Sequence, residues 1–161
     1  MPAPRGCSNF KLRQASRLVS RHYDTHITAS TGLKTSQYSL LGHIAAMAPV
    51  RPGDLARAMS LEPSSLTRNL QPLVAQGWVA IGPGPDARSR LITLTEAGAA
   101  KREAARAAWK QAQLSFNARL GEARVLQLHA LLDECLRLLA APDDDDDGNS
   151  PSDGHDADAD A

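Results

Sequence analysis

Aromatic residues are scarce: two Trp, two Tyr and two Phe make up 4% of 161 residues. Packing must therefore rest on Leu, Ala and Val within an apolar share of 42%, which suffices for a sizeable core. Cysteine is limited to Cys7 and Cys135, too few for a disulfide framework and without the paired spacing of a zinc site. No stretch approaches the roughly 18 apolar residues of a membrane span. Met1 to Lys11 lacks the apolar run of a secretion signal. Internal repeats, a glycine-rich phosphate loop, a nucleophile elbow and a close carboxylate pair are all missing. The expectation is a cytoplasmic protein with reduced thiols, not an enzyme, with no cofactor, metal or membrane partner.

What is present begins with charge. Lys plus Arg number 18 and Asp plus Glu number 18. Residues 142–161 hold nine Asp and no Lys or Arg, so residues 1–141 carry 18 basic against 9 acidic groups. A basic body is joined to an acidic tail, and the neutral balance describes neither. The tail has no apolar group larger than Ala to offset ordering entropy, which predicts disorder over 142–161.

Periodicity predicts six helices. The first runs from about Asn9 to Thr28, with Leu12, Ala15, Leu18, Val19, Tyr23 and Ile27 on one arc. His22 and His26 lie inside that arc, while Arg13, Arg17, Arg21 and Asp24 fall opposite. Thr31-Gly32 breaks the helix. A second starts near Thr35 or Ser36, with Tyr38, Leu41, Ile44 and Ala45 on one face, and a short third covers Asp54 to Ser60. In the fourth, Glu62 can cap, Pro63 suits the first helical position, and Leu66, Leu70, Leu73 and Val74 follow the spacing of a buried face. Its other face, Ser64, Ser65, Thr67, Arg68, Asn69 and Gln71, has no carboxylate. Two strands follow, Trp78 to Ile81 and Leu91 to Leu94, joined by a Gly/Pro-rich loop with Arg88 and Arg90 at a basic tip. A fifth helix from Thr95-Glu96 to about Arg119 carries Ala105, Trp109, Ala112 and Phe116. The sixth, Ala123 to Ala140, has Val125, Leu128, Leu132, Cys135 and Leu139 stepping as a coiled-coil seam. Further leucines widen it beyond what one neighbour covers, which points to a second subunit.

Three short helices followed by a hairpin form a winged helix-turn-helix. The fold class expected is mainly α: six helices, a two-stranded β-wing and a helical dimerisation region. The N-terminal residues of a helix in the major groove meet base edges. Arg68 can pair with guanine and Asn69 with adenine. Ser64, Ser65 and Thr67 are short enough to allow approach, and Gln71 lies on the same face. Arg88 and Arg90 suit phosphate or a narrow minor groove.

The run Asp86-Ala-Arg88-Ser-Arg90-Leu-Ile-Thr-Leu94-Thr95-Glu-Ala-Gly98 resembles the wing signature of the MarR family of bacterial transcriptional regulators. Gly53-Asp54-Leu55-Ala56 and Ser65-Leu66-Thr67-Arg68-Asn69-Leu70 are similar to the family's helix-turn-helix. Gln76-Gly77-Trp78-Val79 resembles its exit into the wing. Leu33 to Leu41 is similar to the second-helix motif, with Tyr38 where Phe is usual. The resemblance covers about residues 7–140. It implies a homodimer, binding to pseudo-palindromic double-stranded DNA, usually as a repressor, and release by a small effector, often aromatic. It further implies that Asp86 braces the wing by pairing with a basic group and that Arg88 reaches DNA. The implied organisation is 1–33 for dimerisation, 34–95 for DNA binding, 96–141 for dimerisation and 142–161 as tail.

Several residues remain open. His22 and His26 have a spacing that can share a metal, but no further ligands stand out, so interface or pocket roles are preferred. His22, His26 and Tyr38 are candidate ligand contacts. Cys7, just before the first helix, is a candidate redox sensor, and Cys135 reads as a small core residue. The alternatives are a redox-responsive regulator sensing through Cys7 and a dimeric adaptor of the same fold that does not bind DNA.

Overall fold

The computed structural model describes residues 5–86 and 89–140. Arg88 and the predicted disordered tail lie outside them. The chain divides into two compact units, Met1–Gly121 and Glu122–Ala161. The first holds α1 (Ser8–Thr31), α2 (Thr35–Met47), α3 (Pro52–Ala58), α4 (Pro63–Ala75), β1 (Val79–Pro83), β2 (Arg90–Leu94) and α5 (Glu96–Leu120). The second holds α6 (Glu122–Ala140). Six helices and a two-stranded wing are the architecture expected.

The core of the first unit is aliphatic. Ile27, Leu33, Leu40, Leu41, Ile44, Leu55, Leu66, Leu73 and Ile92 are almost fully buried. Gly32, at φ 71°, takes the left-handed turn that ends α1 and donates to the Thr28 carbonyl. At the next helix Gln37 Oε1 accepts from N at the N-cap, Lys34, at 2.9 Å, but the Lys34 side chain has no acceptor for the N–H groups that follow. Asp24 of α1 does this instead: Oδ1 accepts from Thr35 N at 2.6 Å and from Thr35 Oγ1 at 2.7 Å. The wing is antiparallel, with Val79 opposite Leu94 and Pro83 opposite Arg90. Val50 adds a bridge to the far side of Ile92.

Several sequence-based placements are corrected. Leu12 and Leu18 are more than half exposed, because only the C-terminal half of α1 (Tyr23, Ile27) reaches the core of its unit. Val74 is 39% exposed; Leu66, Leu70 and Leu73 suffice to seat α4, and an eighth-position residue lies at the stripe's edge. Ala45 is exposed and Leu40 takes its place in the core. Glu62 stands at the N-cap without a side-chain bond. The third helix begins earlier, at Pro52, and ends before Ser60, whose φ is 51°. Cys135 is exposed, as are Leu126, Leu131, Leu136, Leu138 and Leu139 of α6. Val125 at the start of the seam is buried and Leu128 half-buried, so the open apolar face is the stretch from Leu131 to Leu139.

The Leu-Thr-x-x-Gly ending of the wing has a specific physical basis. Thr95 caps α5: its Oγ1 accepts from Gly98 N at 3.0 Å and donates to the Gly77 carbonyl at 2.7 Å. Its backbone N donates to the Trp78 carbonyl at 3.1 Å. A Cβ on Gly98 would overlap that same Trp78 carbonyl and crowd Leu94. Lys101 Nζ completes the junction, 4.9 Å from the centre of the Trp78 ring. Gly98→Ala should therefore cost about 1–3 kcal/mol. The check is the urea midpoint; an unchanged midpoint would mean the junction opens at no cost.

Candidate nucleic-acid interface

On α4, Ser64, Thr67, Arg68, Asn69 and Gln71 are exposed and Ser65 is half-buried. The leucine stripe on the opposite side holds the helix, so this polar face is turned outward from the core. Thr67 Oγ1 donates to the Pro63 carbonyl at 2.9 Å, which leaves its oxygen lone pairs as acceptors. The side chains of Arg68 and Asn69 make no hydrogen bond among the described residues. They border a groove of about 230 Å³ whose other walls are Lys34, Ser36, Gln37 and Leu40 of the α2 end, and Pro72. Sequence reasoning missed Lys34, Ser36 and Gln37 as neighbours of α4, because the pairing spans more than thirty residues of chain.

In the wing, Arg90 is exposed at the start of β2, opposite Pro83. Arg88 is outside the described residues. Asp86 closes a local turn: Oδ1 accepts from Ser89 N at 2.7 Å, and Ser89 Oγ donates to the Asp86 carbonyl at 3.1 Å. Gly84 N then donates to the Ser89 carbonyl at 2.9 Å. Asp86 thus shapes the loop through backbone bonds of a kind that short carboxylates favour in turns.

A second site lies among α1, α2 and α5: a cavity of about 630 Å³. Its lining includes Tyr23, Tyr38, His43, Arg102, Arg106 and Trp109. Tyr38 and Trp109 are stacked, with ring centres 6.2 Å apart and 28° between planes. Trp109 is 38% exposed, so it serves this cavity and is not the core residue that periodicity suggests. Tyr23 donates its hydroxyl to Gln113 Oε1 at 2.7 Å, and burial raises its pKa above the ordinary 10. Arg102 Nε is buried with no hydrogen-bond partner among the described residues. A guanidinium N–H stripped of water and left unpaired is unfavourable, and an acceptor of negative charge relieves it best. Arg106 is exposed and pairs with Glu103 at 3.2 Å.

Of the three candidate ligand residues, Tyr38 lines this cavity and the two histidines do not. His22 Nε2 donates to the Ala112 carbonyl at 3.1 Å and its ring meets those of His26, Tyr23 and Phe116, so it belongs to the α1–α5 packing. Arg102, Arg106 and Trp109 were missed, though their i, i+4, i+7 spacing places them on one face of α5. Cys7 is the exposed N-cap residue of α1. No three metal-ligating side chains gather among the described residues, and no described helix is long and apolar enough to cross a membrane.

A model of the MarR family matches residues 31–89, from the end of α1 into the wing. The multiple antibiotic resistance protein MarR of Escherichia coli is 38% identical over 69 residues, 42% of this chain and 48% of that protein. Among solved structures, the M. tuberculosis transcriptional regulator MosR in complex with DNA superposes with a TM-score of 0.71 at 30% identity, covering 84% of this chain and 99% of MosR. A mutant E. coli MarR complexed with operator DNA superposes with a TM-score of 0.72 at 26% identity, over 80% of this chain and 92% of that one. Identity at that level over almost the whole of a neighbouring structure establishes the relationship, and the chain belongs to the MarR family of DNA-binding transcriptional regulators, which are not enzymes.

Proposed function

We propose that the protein is a homodimeric repressor that leaves a pseudo-palindromic operator when a small planar anion enters the Tyr38–Trp109 cavity. The observation that carries this reading is Arg102: a buried guanidinium Nε, without a hydrogen-bond partner among the described residues, beside a cavity with stacked aromatic rings. Such a site suits a carboxylate or similar oxyanion on a flat apolar frame. The cavity wall formed by α2 couples it to DNA reading, since α2 packs against both α3 and β2. An effector shifts the equilibrium to the extent that it binds one arrangement of these helices better than the other.

Residues 34–95 form the DNA-reading part, with Ser64, Ser65, Thr67, Arg68, Asn69, Gln71, Arg88 and Arg90 at the duplex. Residues 1–33 and 96–141 form the dimer. The open leucine face of α6 and the uncovered N-terminal half of α1 support a second copy as their cover.

Three outcomes are expected. Arg68→Ala or Asn69→Ala should lose about 1–3 kcal/mol of preference at one base position of a selected operator, whereas Arg90→Ala should weaken all duplexes evenly and reduce the salt slope by about 1. Titrations on matched and single-substituted operators check this; equal weakening by all three variants would remove Arg68 and Asn69 as base readers. Benzoate should release operator DNA from the wild type while benzamide does not, and Arg102→Met should abolish the response. Arg102→Met should also leave the thermal midpoint unchanged or raise it, since an unsatisfied donor is removed. Release by both compounds alike would refute an anion site. Leu131→Glu combined with Leu136→Glu should shift sedimentation from dimer to monomer; a variant that still sediments as a dimer places the interface elsewhere.

A further inference from the structure

Lys34, Ser36 and Gln37 have no part in the base reading proposed for α4, yet they face Arg68 and Asn69 across the α2–α4 groove. We infer that this groove seats a phosphate of the DNA backbone, held by Lys34, Ser36 and Gln37 beside the recognition helix. The inference rests on the DNA-reading role of α4 and adds α2 to the grip on the duplex.

The polar groups around the groove are rich in donors. Lys34 and Arg68 are cations that can only donate, and Ser36 and Asn69 bring a hydroxyl and an amide. Gln37 Oε1 is occupied by Lys34 N at 2.9 Å, so its Nε2 hydrogens are what it has left to offer. No carboxylate lines the groove, and neither Lys34 nor Arg68 forms an ion pair among the described residues. Asp24, which reaches the first turn of α2, gives its Oδ1 to Thr35 N and Oγ1 and is not paired with Lys34. A base-pair edge in the major groove mixes donors with acceptors, and its donors would find no match here. A phosphodiester presents only acceptor oxygens and a negative charge, which suits every one of these groups.

Position and size point the same way. A helix with its side chains is about 10–12 Å across and the major groove about 12 Å wide, so a recognition helix spans it from one backbone to the other. The flank of such a helix lies against phosphates. Arg68, Asn69 and Pro72 form one flank of α4, and α2 stands beside it. The space between is about 230 Å³, below the roughly 300–1,000 Å³ of sites that enclose a whole small molecule. Lys34, Ser36, Arg68 and Asn69 are exposed, so a backbone can reach them. Leu40 and Pro72 supply apolar walls, which lower the local dielectric and strengthen the attraction between cation and phosphate. A contact of this kind carries no sequence information. It fixes the register and tilt at which Arg68 and Asn69 meet the bases.

The test uses the full chain with Lys34→Met, Lys34→Arg or Arg68→Ala, and a selected operator in which one phosphate at a time is replaced by a neutral methylphosphonate. Lys34→Met should bind matched and arbitrary duplexes more weakly by the same factor, roughly fivefold, and lower the salt slope by about 1 for each subunit bound. Lys34→Arg should restore the slope. At one phosphate of each half-site, the methylphosphonate should weaken binding by the wild type and by Lys34→Arg but not by Lys34→Met. Equal losses for wild type and Lys34→Met at every phosphate would overturn the seat, as would an unchanged salt slope. Weakening by Arg68→Ala without weakening by Lys34→Met would remove α2 from the interface and leave the reading of α4 intact; weakening by neither would remove both.

Discussion

The carbonyl groups of Gly77 and Trp78 hold the DNA-reading part together. Both accept from the start of α5: Gly77 from the Thr95 hydroxyl, Trp78 from the Thr95 backbone N. These two residues form the exit of α4, and Thr95 directly follows β2 and caps α5. One residue therefore ties the recognition helix, the wing and the long helix behind them at a single point. The bonds can form because residue 98 has no side chain, so that the backbone of α5 meets that of Trp78 directly. If this junction shifted, the basic wing would no longer be aimed beside α4, and two-element reading of a duplex would be lost.

The cavity and the recognition face share α2. One end of this helix contributes Lys34, Ser36 and Gln37 to the groove beside Arg68, and its middle contributes Tyr38, His43 and Ala46 to the cavity shared with α1 and α5. With a helical rise of 1.5 Å per residue, the two sets are within a few turns of each other. The proposed coupling of effector to DNA needs no long chain of contacts, since a small rigid-body displacement of α2 would move both surfaces at once.

The elements that could be read from the sequence are those whose pattern is local. The four-residue spacing of Leu66 and Leu70, the carboxylate-free opposite face, and the Thr95–Gly98 signature each lie within one helix or one turn. Val74 and Leu12 were misplaced because periodicity reports which side a residue is on, but not how far along a helix its neighbours extend. The cavity was beyond reach for a different reason: Tyr38 and Trp109 are seventy-one positions apart, and no spacing rule joins them. Asp24 shows the same limit, since on its own helix it reads as a solvent-facing charge.

Asp24 also bears on how separable the parts are. Because Thr35 at the first turn of α2 is held by Asp24 of α1, the helix-turn-helix is not a self-sufficient module. Its leading edge, where Lys34 and Ser36 sit beside the recognition helix, is finished by a residue from outside it. Evolutionary exchange of such a DNA-reading segment between relatives would thus have to carry an acceptor at position 24 along with it, or leave the entry to α2 frayed.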